Sequence, residues 1–388
     1  MNESRILFSL LRYAVCGETN ESALRAHFTD EQLPALFRLA APHDLQHILG
    51  HSLQALQLGT DHPLFPTVVH KTREAVFRYA RMNLDYENIC AALEGAGIAH
   101  LPLKGSVLRA FYPEPWMRTS CDIDLLVHNA DLEAAADLLV EKLHFTRSAL
   151  GHYDLSLYSP GKVHLELHFS VENLEETNSE QKVLADFWNV AELEPGYSFR
   201  YRVSDEMFYF YHITHMAKHL QDAECGIRPF LDLWVLHHRV PHDRKKREAL
   251  LTKGGMLRFA QAAEALSEVW FSGSAPDPIS QRLEIFILQH GTAASTANYV
   301  ALKQGRQGGR LRFLRNKLFP PFQRMAWYYP ILRKHPWLLP VCTIRRWCRL
   351  LFTRDFQRAK EIMRLNAEIS DEEIASMSGL LKHLGLGS

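Results

Sequence analysis

No run of apolar residues in this 388-residue chain approaches the about 20 that a membrane-spanning helix needs. The first apolar stretch, Ile6 to Val15, is interrupted by Arg12 and lacks both a basic leader and a cleavage site, so no secretory signal is expected. Cysteine is scarce. Six residues, at positions 16, 90, 121, 225, 342 and 348, form no CxxC pair and no zinc-like spacing. Scattered thiols of this kind imply reduced cysteines and a cytoplasmic protein. There is no internal repeat, and the one low-complexity patch, QGRQGG at 304–309, reads as a linker.

What is present is ordinary globular composition, with 47% hydrophobic and 23% charged residues. The length calls for two or three domains in contact. The formal charge of zero conceals an asymmetry: residues 301–360 carry 15 Lys or Arg against one acid, Asp355. Residues 1–300 carry 27 basic and 38 acidic side chains, a net of −11. The basic segment also holds ten aromatics, including Trp327, Trp337 and Trp347. Such a segment fits a nucleic acid, an anionic surface or another acidic partner. Alternatively, its aromatics pack on the core and leave Lys and Arg outside.

The pattern along the chain predicts an α+β fold, a small mixed sheet flanked by helical regions. Residues 1–97 read as an N-terminal helical region, with an N-cap at Asp30 and a long helix from Pro66 to Leu93. Val76, Ala80, Tyr86, Cys90 and Leu93 share one face of it, and Gly95 and Gly97 end it. Residues 98–203 read as an α/β core, with strands at 98–103, 122–127, 154–158 and 163–171. A helix over 130–143 and a hairpin turn at Ser159-Pro160-Gly161 complete it. Residues 204–388 return to a helical pattern.

Asp122 and Asp124 stand two apart on a strand, so both side chains leave one face. Paired carboxylates repel unless a cation lies between them, which makes this a natural point for Mg²⁺ or Mn²⁺. An acid pair on a solvent-facing strand edge is the competing account. Upstream, Lys104-Gly105-Ser106 opens a helix, where free N–H groups and a glycine suit a phosphate. Downstream, the strict alternation of HLELH places Glu166 beside His164 and His168, opposite two leucines. The helix near 207–220 sets His212, His215 and His219 on one face; a polar wall, a buried structural row and a zinc site all fit.

Gly-Ser at a helix start, then DxD, then a lone acid on a later strand resembles the polymerase-beta-like nucleotidyltransferase superfamily. More narrowly, the chain resembles a bacterial family of uncharacterised nucleotidyltransferases. The likeness lies in LPLKGSVL (101–108), RTSCDIDLLV (118–127), ELHF (166–169), HITHMAKH (212–219), GIRPFLDLWV (226–235) and FPPFQRMAWYYPILRKHPWLLP (319–340). Lys104 departs from the superfamily, where many members carry an apolar residue before the glycine. The resemblance implies an enzyme that moves an NMP group from an NTP such as ATP to a hydroxyl of a small molecule, an RNA end or a protein. Asp122, Asp124 and Glu166 would be the catalytic metal ligands, with two Mg²⁺ or Mn²⁺ ions. Lys104, Gly105, Ser106, Arg118, His215, Lys218 and Arg228 would meet the nucleotide, and Asp232 would either orient Arg228 or form a surface ion pair of little energetic weight. A nucleotide-binding module without turnover and a nucleic-acid-binding protein are the alternatives.

Overall fold

The computed structural model describes residues 3–18, 20–151, 153–171, 178–290, 296–351 and 355–387. The fold is α+β, with a five-stranded mixed sheet flanked by helices before and after it in the chain. No described helix is long and apolar enough to cross a membrane.

The helix Phe65–Gly95 carries the architecture. Proline in its first turn costs no hydrogen bond, and Gly97, at φ 73°, turns the chain out of it. Among its buried residues, Val68, Thr72, Ala75, Met82, Ile89 and Leu93 repeat at steps of three, four and seven, with Val69 and Cys90 beside them. Val76 stands one residue beyond Ala75, a rotation of about 100°. It therefore faces outward, 42% exposed, where the sequence pattern put it on the buried face. The first half of this helix packs on Gln46–Leu56. There a Cβ on Gly50 would meet the Val68 carbonyl oxygen at 2.4 Å, so only glycine allows the approach.

Five strands follow: β1 (His100–Pro102), β2 (Asp122–Val127), β3 (Thr146–Leu150), β4 (Asp154–Tyr158) and β5 (His164–His168). Their order is β1-β2-β5-β4-β3, and only β2 and β5 run parallel. Ile123, Leu125, Val127, Leu155, Leu157, Leu165 and Leu167 enter one core with the second half of the long helix and with Leu132–Leu143. The alternate residues face the other way. The predicted hairpin joins β4 to β5, with Ser159 N–H donating to Val163 O at 2.9 Å. β3 escaped the sequence pattern because all five of its residues are exposed at the sheet edge, so they show no alternation.

A second, larger core runs from Ile6 to Leu386 and joins the first helices to the last. Phe8 stacks on Trp270 with centroids 4.7 Å apart. The patch at 304–309 is not a linker. The helix Thr296–Gln307 continues through it, and Gln304 is fully buried, donating to Asn366 Oδ1 at 2.6 Å. Gly308 and Gly309, both at positive φ, make the turn.

His43 lies at the seam between the N-terminal helices and the helix Arg228–Arg239. Its Nδ1 accepts from Ile227 N–H at 3.3 Å, which requires a neutral imidazole. Burial pushes its pKa down from 6.5 to about 4. A depressed histidine contributes stability that is complete above the unfolded value and is lost as pH falls towards the folded one. We therefore expect urea stability to fall between pH 6.5 and 4 by about 3 kcal/mol from this group alone. His43→Asn keeps an acceptor that cannot charge, and should flatten that part of the profile. An unchanged slope would assign the acid sensitivity elsewhere.

Candidate active site

Parallel pairing of β2 with β5 sets Asp124 directly beside Glu166, and Asp122 beside His164. Because side chains alternate, Asp122, Asp124, His164, Glu166 and His168 all leave the face opposite the leucine core. Asp122, Asp124, Glu166 and His168 open onto a cavity of about 920 Å³, shared with the helix Asp205–Gln221 and with the basic C-terminal segment, whereas His164 stacks on Tyr158. Asp124 is 2% exposed. Burial opposes its charge, but Lys104 Nζ at 2.6 Å and His168 Nε2 at 2.9 Å outweigh burial and hold the carboxyl well below its usual range. Asp122 has no such pair. Burial, then the neighbouring Asp124, raises its pKa.

Lys104 enters from the loop after β1, at φ 43° and ψ −120°, a strained backbone for a residue with a side chain. Its ammonium touches Asp124 Oδ1 and stands 3.8 Å from Glu166 Oε2, so a divalent ion and Lys104 compete for the same carboxylates. Gly105 packs tightly: a Cβ there would sit 3.2 Å from Ser120 Cβ. Ser106 does not line the cavity among the described residues, and its buried hydroxyl has no hydrogen-bond partner.

The other predicted residues separate by depth. Arg118 lines the cavity but is committed to fully buried Asp232, Nε to Oδ1 at 2.6 Å, and to the carbonyl of Thr119. Asp232 therefore orients Arg118 and Tyr112, whose hydroxyl donates to it at 2.7 Å, and not Arg228. Arg228 is instead held by Asp44 at 2.6 Å, which also accepts from Thr119 Oγ1 at 2.6 Å. The Arg228 Nε is buried without a partner, a spare donor at the cavity wall. This misassignment has a simple origin, since Asp44 and Arg228 are 184 residues apart with the whole five-stranded sheet between them.

The histidine row divides. His212 turns away to the carbonyl of Pro229, while His215 and His219 line the cavity with their Nε2 atoms 3.2 Å apart. Burial, then His219 and Lys104, holds His215 well below its usual pKa, so it is neutral at pH 7. Lys218 Nζ reaches the Tyr153 hydroxyl at 3.5 Å across the cavity.

Sequence reasoning passed over His168 as a site residue, although its place two residues after Glu166 carried the signal. Burial opposes its protonation, but hydrogen bonds to Asp124 and Glu166 prevail and raise its pKa. Lys303, Arg306 and Arg324 were also missed; they bring the basic segment to the cavity wall. No local pattern in the sequence signals that contact.

The donors suit a divalent ion. Ligand atoms of Asp122, His164 and Glu166 lie within 4.8 Å of one another, as do those of Asp124, Glu166 and His168. Carboxylate oxygens at the edge of an open polar cavity match a hard cation that keeps positions for phosphate. Residues 29–272 match the family of uncharacterised nucleotidyltransferases, a span that contains every one of these donors. No curated protein and no solved structure matches the chain. With the family match covering well over half its length and the acids gathered on one sheet face, the chain belongs to the uncharacterised nucleotidyltransferase family.

Proposed function

We propose that the protein transfers an NMP group from an NTP to a hydroxyl acceptor, releasing pyrophosphate, with Mg²⁺ or Mn²⁺ as cofactor. The observation that carries this reading is the register Asp124 to Glu166 across the parallel pair β2 and β5, facing a cavity lined by cations. Asp122 and Asp124 would hold both ions, and Glu166 the one on the acceptor side. When bound, such ions lower the pKa of an attacking hydroxyl and offset charge on the attacking and leaving oxygens. Glu166 then accepts the proton of the acceptor. Arg228 and Lys218 bind the triphosphate, the first through parallel hydrogen bonds and the second as a point charge. Neutral His215 donates one hydrogen bond without adding charge. On this reading residues 98–203 supply the carboxylates, while 1–97 and 204–388 supply the walls.

A binding module without turnover has no use for a third carboxylate, and this favours catalysis. The test is pyrophosphate release and label transfer with each NTP in Mg²⁺ or Mn²⁺, supplied with cell extract as the source of acceptor. Glu166→Gln should lower kcat by at least about 10²-fold, the low end for a general base, with little change in NTP affinity. A variant that keeps kcat and loses NTP binding instead would remove Glu166 from this role.

A further inference from the structure

The geometry points to a membrane-docking face on the basic C-terminal segment, one that takes an anionic lipid bilayer. This inference does not rest on the proposed reaction. Residues 322–351 contain six Lys or Arg and no Asp or Glu. They form a small unit whose own buried core, among the described residues, is Met325, Ala326, Leu332 and Cys342, with Tyr329, Leu338 and Leu339 packed against it. Around that core the apolar side chains point the wrong way for a self-contained fold: Trp337 is 73% exposed, Val341 60%, Ile344 57% and Ile331 51%.

The helix Leu339–Leu351 shows how this arises. Its inner side is set by buried Cys342 and Thr343 and by Arg346 and Trp347, whose side chains donate to the carbonyls of Lys317 and Leu318 at 3.3 and 2.9 Å. The opposite side is then Val341, Ile344, Arg345 and Cys348, at the i, i+3, i+4, i+7 spacing of a single stripe. Arg333, Lys334, Arg345 and Arg349 are exposed beside these apolar groups. Isolated exposed apolar residues are ordinary, but several in one acid-free unit mark an interaction surface.

The composition selects the occupant. A nucleic acid would use the cations and tryptophan but has no use for exposed valine and isoleucine. A folded acidic protein would answer the charge, yet the combination of a tryptophan, aliphatic side chains and flanking arginines is that of a helix lying in a lipid interface. Anionic headgroups supply the complementary charge, and each Lys or Arg near such a surface adds attraction. Arg324 and Tyr328, from the same unit, line the active cavity, so docking brings lipid headgroups to the neighbourhood of the cleft.

The test is sedimentation of the full-length protein with vesicles of phosphatidylcholine alone and of phosphatidylcholine mixed with phosphatidylglycerol. We expect at least about tenfold tighter association with the anionic vesicles, falling as salt rises. The double variant Trp337→Ser, Ile344→Ser should lose at least about tenfold of it while keeping the wild-type circular dichroism and unfolding midpoint. Arg345→Gln with Arg349→Gln should reduce the anionic preference by a similar factor. Wild-type protein that stays in the supernatant, or binding indifferent to the apolar substitutions, overturns the assignment. So does preferential binding of polyuridylate through the arginines alone. A concentration-dependent dimer abolished by the double variant also overturns it, because a second copy would then cover the face.

Discussion

If the proposed transfer holds, Asp124→Asn should lower pyrophosphate release by at least about 10³-fold, the several kcal/mol expected when metal-borne stabilisation of the transition state is lost. The carboxylate is 2% exposed and kept ionised across the neutral range by Lys104 and His168. Asparagine has nearly the same shape and can still accept one hydrogen bond from Lys104, so the fold is expected to persist. Only the charge that would hold a cation is removed. Asp122→Asn should lower turnover comparably but affect stability differently. Asp122 has a raised pKa, from burial and then from its neighbour, so neutralising it relieves repulsion in the metal-free protein. The measurement is release under saturating NTP, with circular dichroism as the control for folding. Wild-type rates in either variant would displace the two aspartates from the chemistry.

The largest structural effect is expected at Asp232. Its replacement by Ala should cost about 3–5 kcal/mol in urea unfolding, because it strands a buried guanidinium. Asp232 is 0% exposed and accepts from Arg118 at 2.6 Å and from Tyr112 at 2.7 Å. An exposed pair would contribute no more than about 1 kcal/mol. Burial makes the difference: Arg118 is 9% exposed, and among the described residues Asp232 is the carboxylate that hydrogen-bonds it. Removing both charges, as Arg118→Met with Asp232→Leu, should recover most of the loss. The single variant should also misplace Arg118 at the cavity wall and weaken NTP binding. A cost below about 1 kcal/mol for Asp232→Ala would mean that solvent reaches the pair after all.

Much of the sheet was legible from its strands: DIDLLV reads as a strand by its length and apolar content, and HLELH by strict alternation of leucine with a charged or imidazole side chain. The paired aspartates and Glu166 were readable for that reason. The parallel register that brings Asp124 beside Glu166 was not, since nothing local in either strand specifies its neighbour. β3 was hidden by its exposure, and the buried Gln304 by a run of glycine and glutamine that looks like a linker. Arg228 was readable as a cation near the site, but its partner Asp44 belongs to a turn before the long helix. Asp232, one turn into the helix from Arg228, suggested a pair by proximity in sequence. Local spacing reports which residues share a face, whereas pairing across the molecule depends on tertiary packing.

The core that runs from Ile6 to Leu386 has a consequence for synthesis on the ribosome. Phe8 finds its stacking partner only when Trp270 has left the exit tunnel, and Leu380, Leu381 and Leu384 enter the same core later still. The first helices pack on one another early but must wait, with part of their apolar surface uncovered, while the strands between them and their later partners are translated. Contacts this distant in the chain close slowly. Exposed apolar surface in that interval invites aggregation. The nascent chain should thus lean on trigger-factor-like or Hsp70-like chaperones until its final helices emerge.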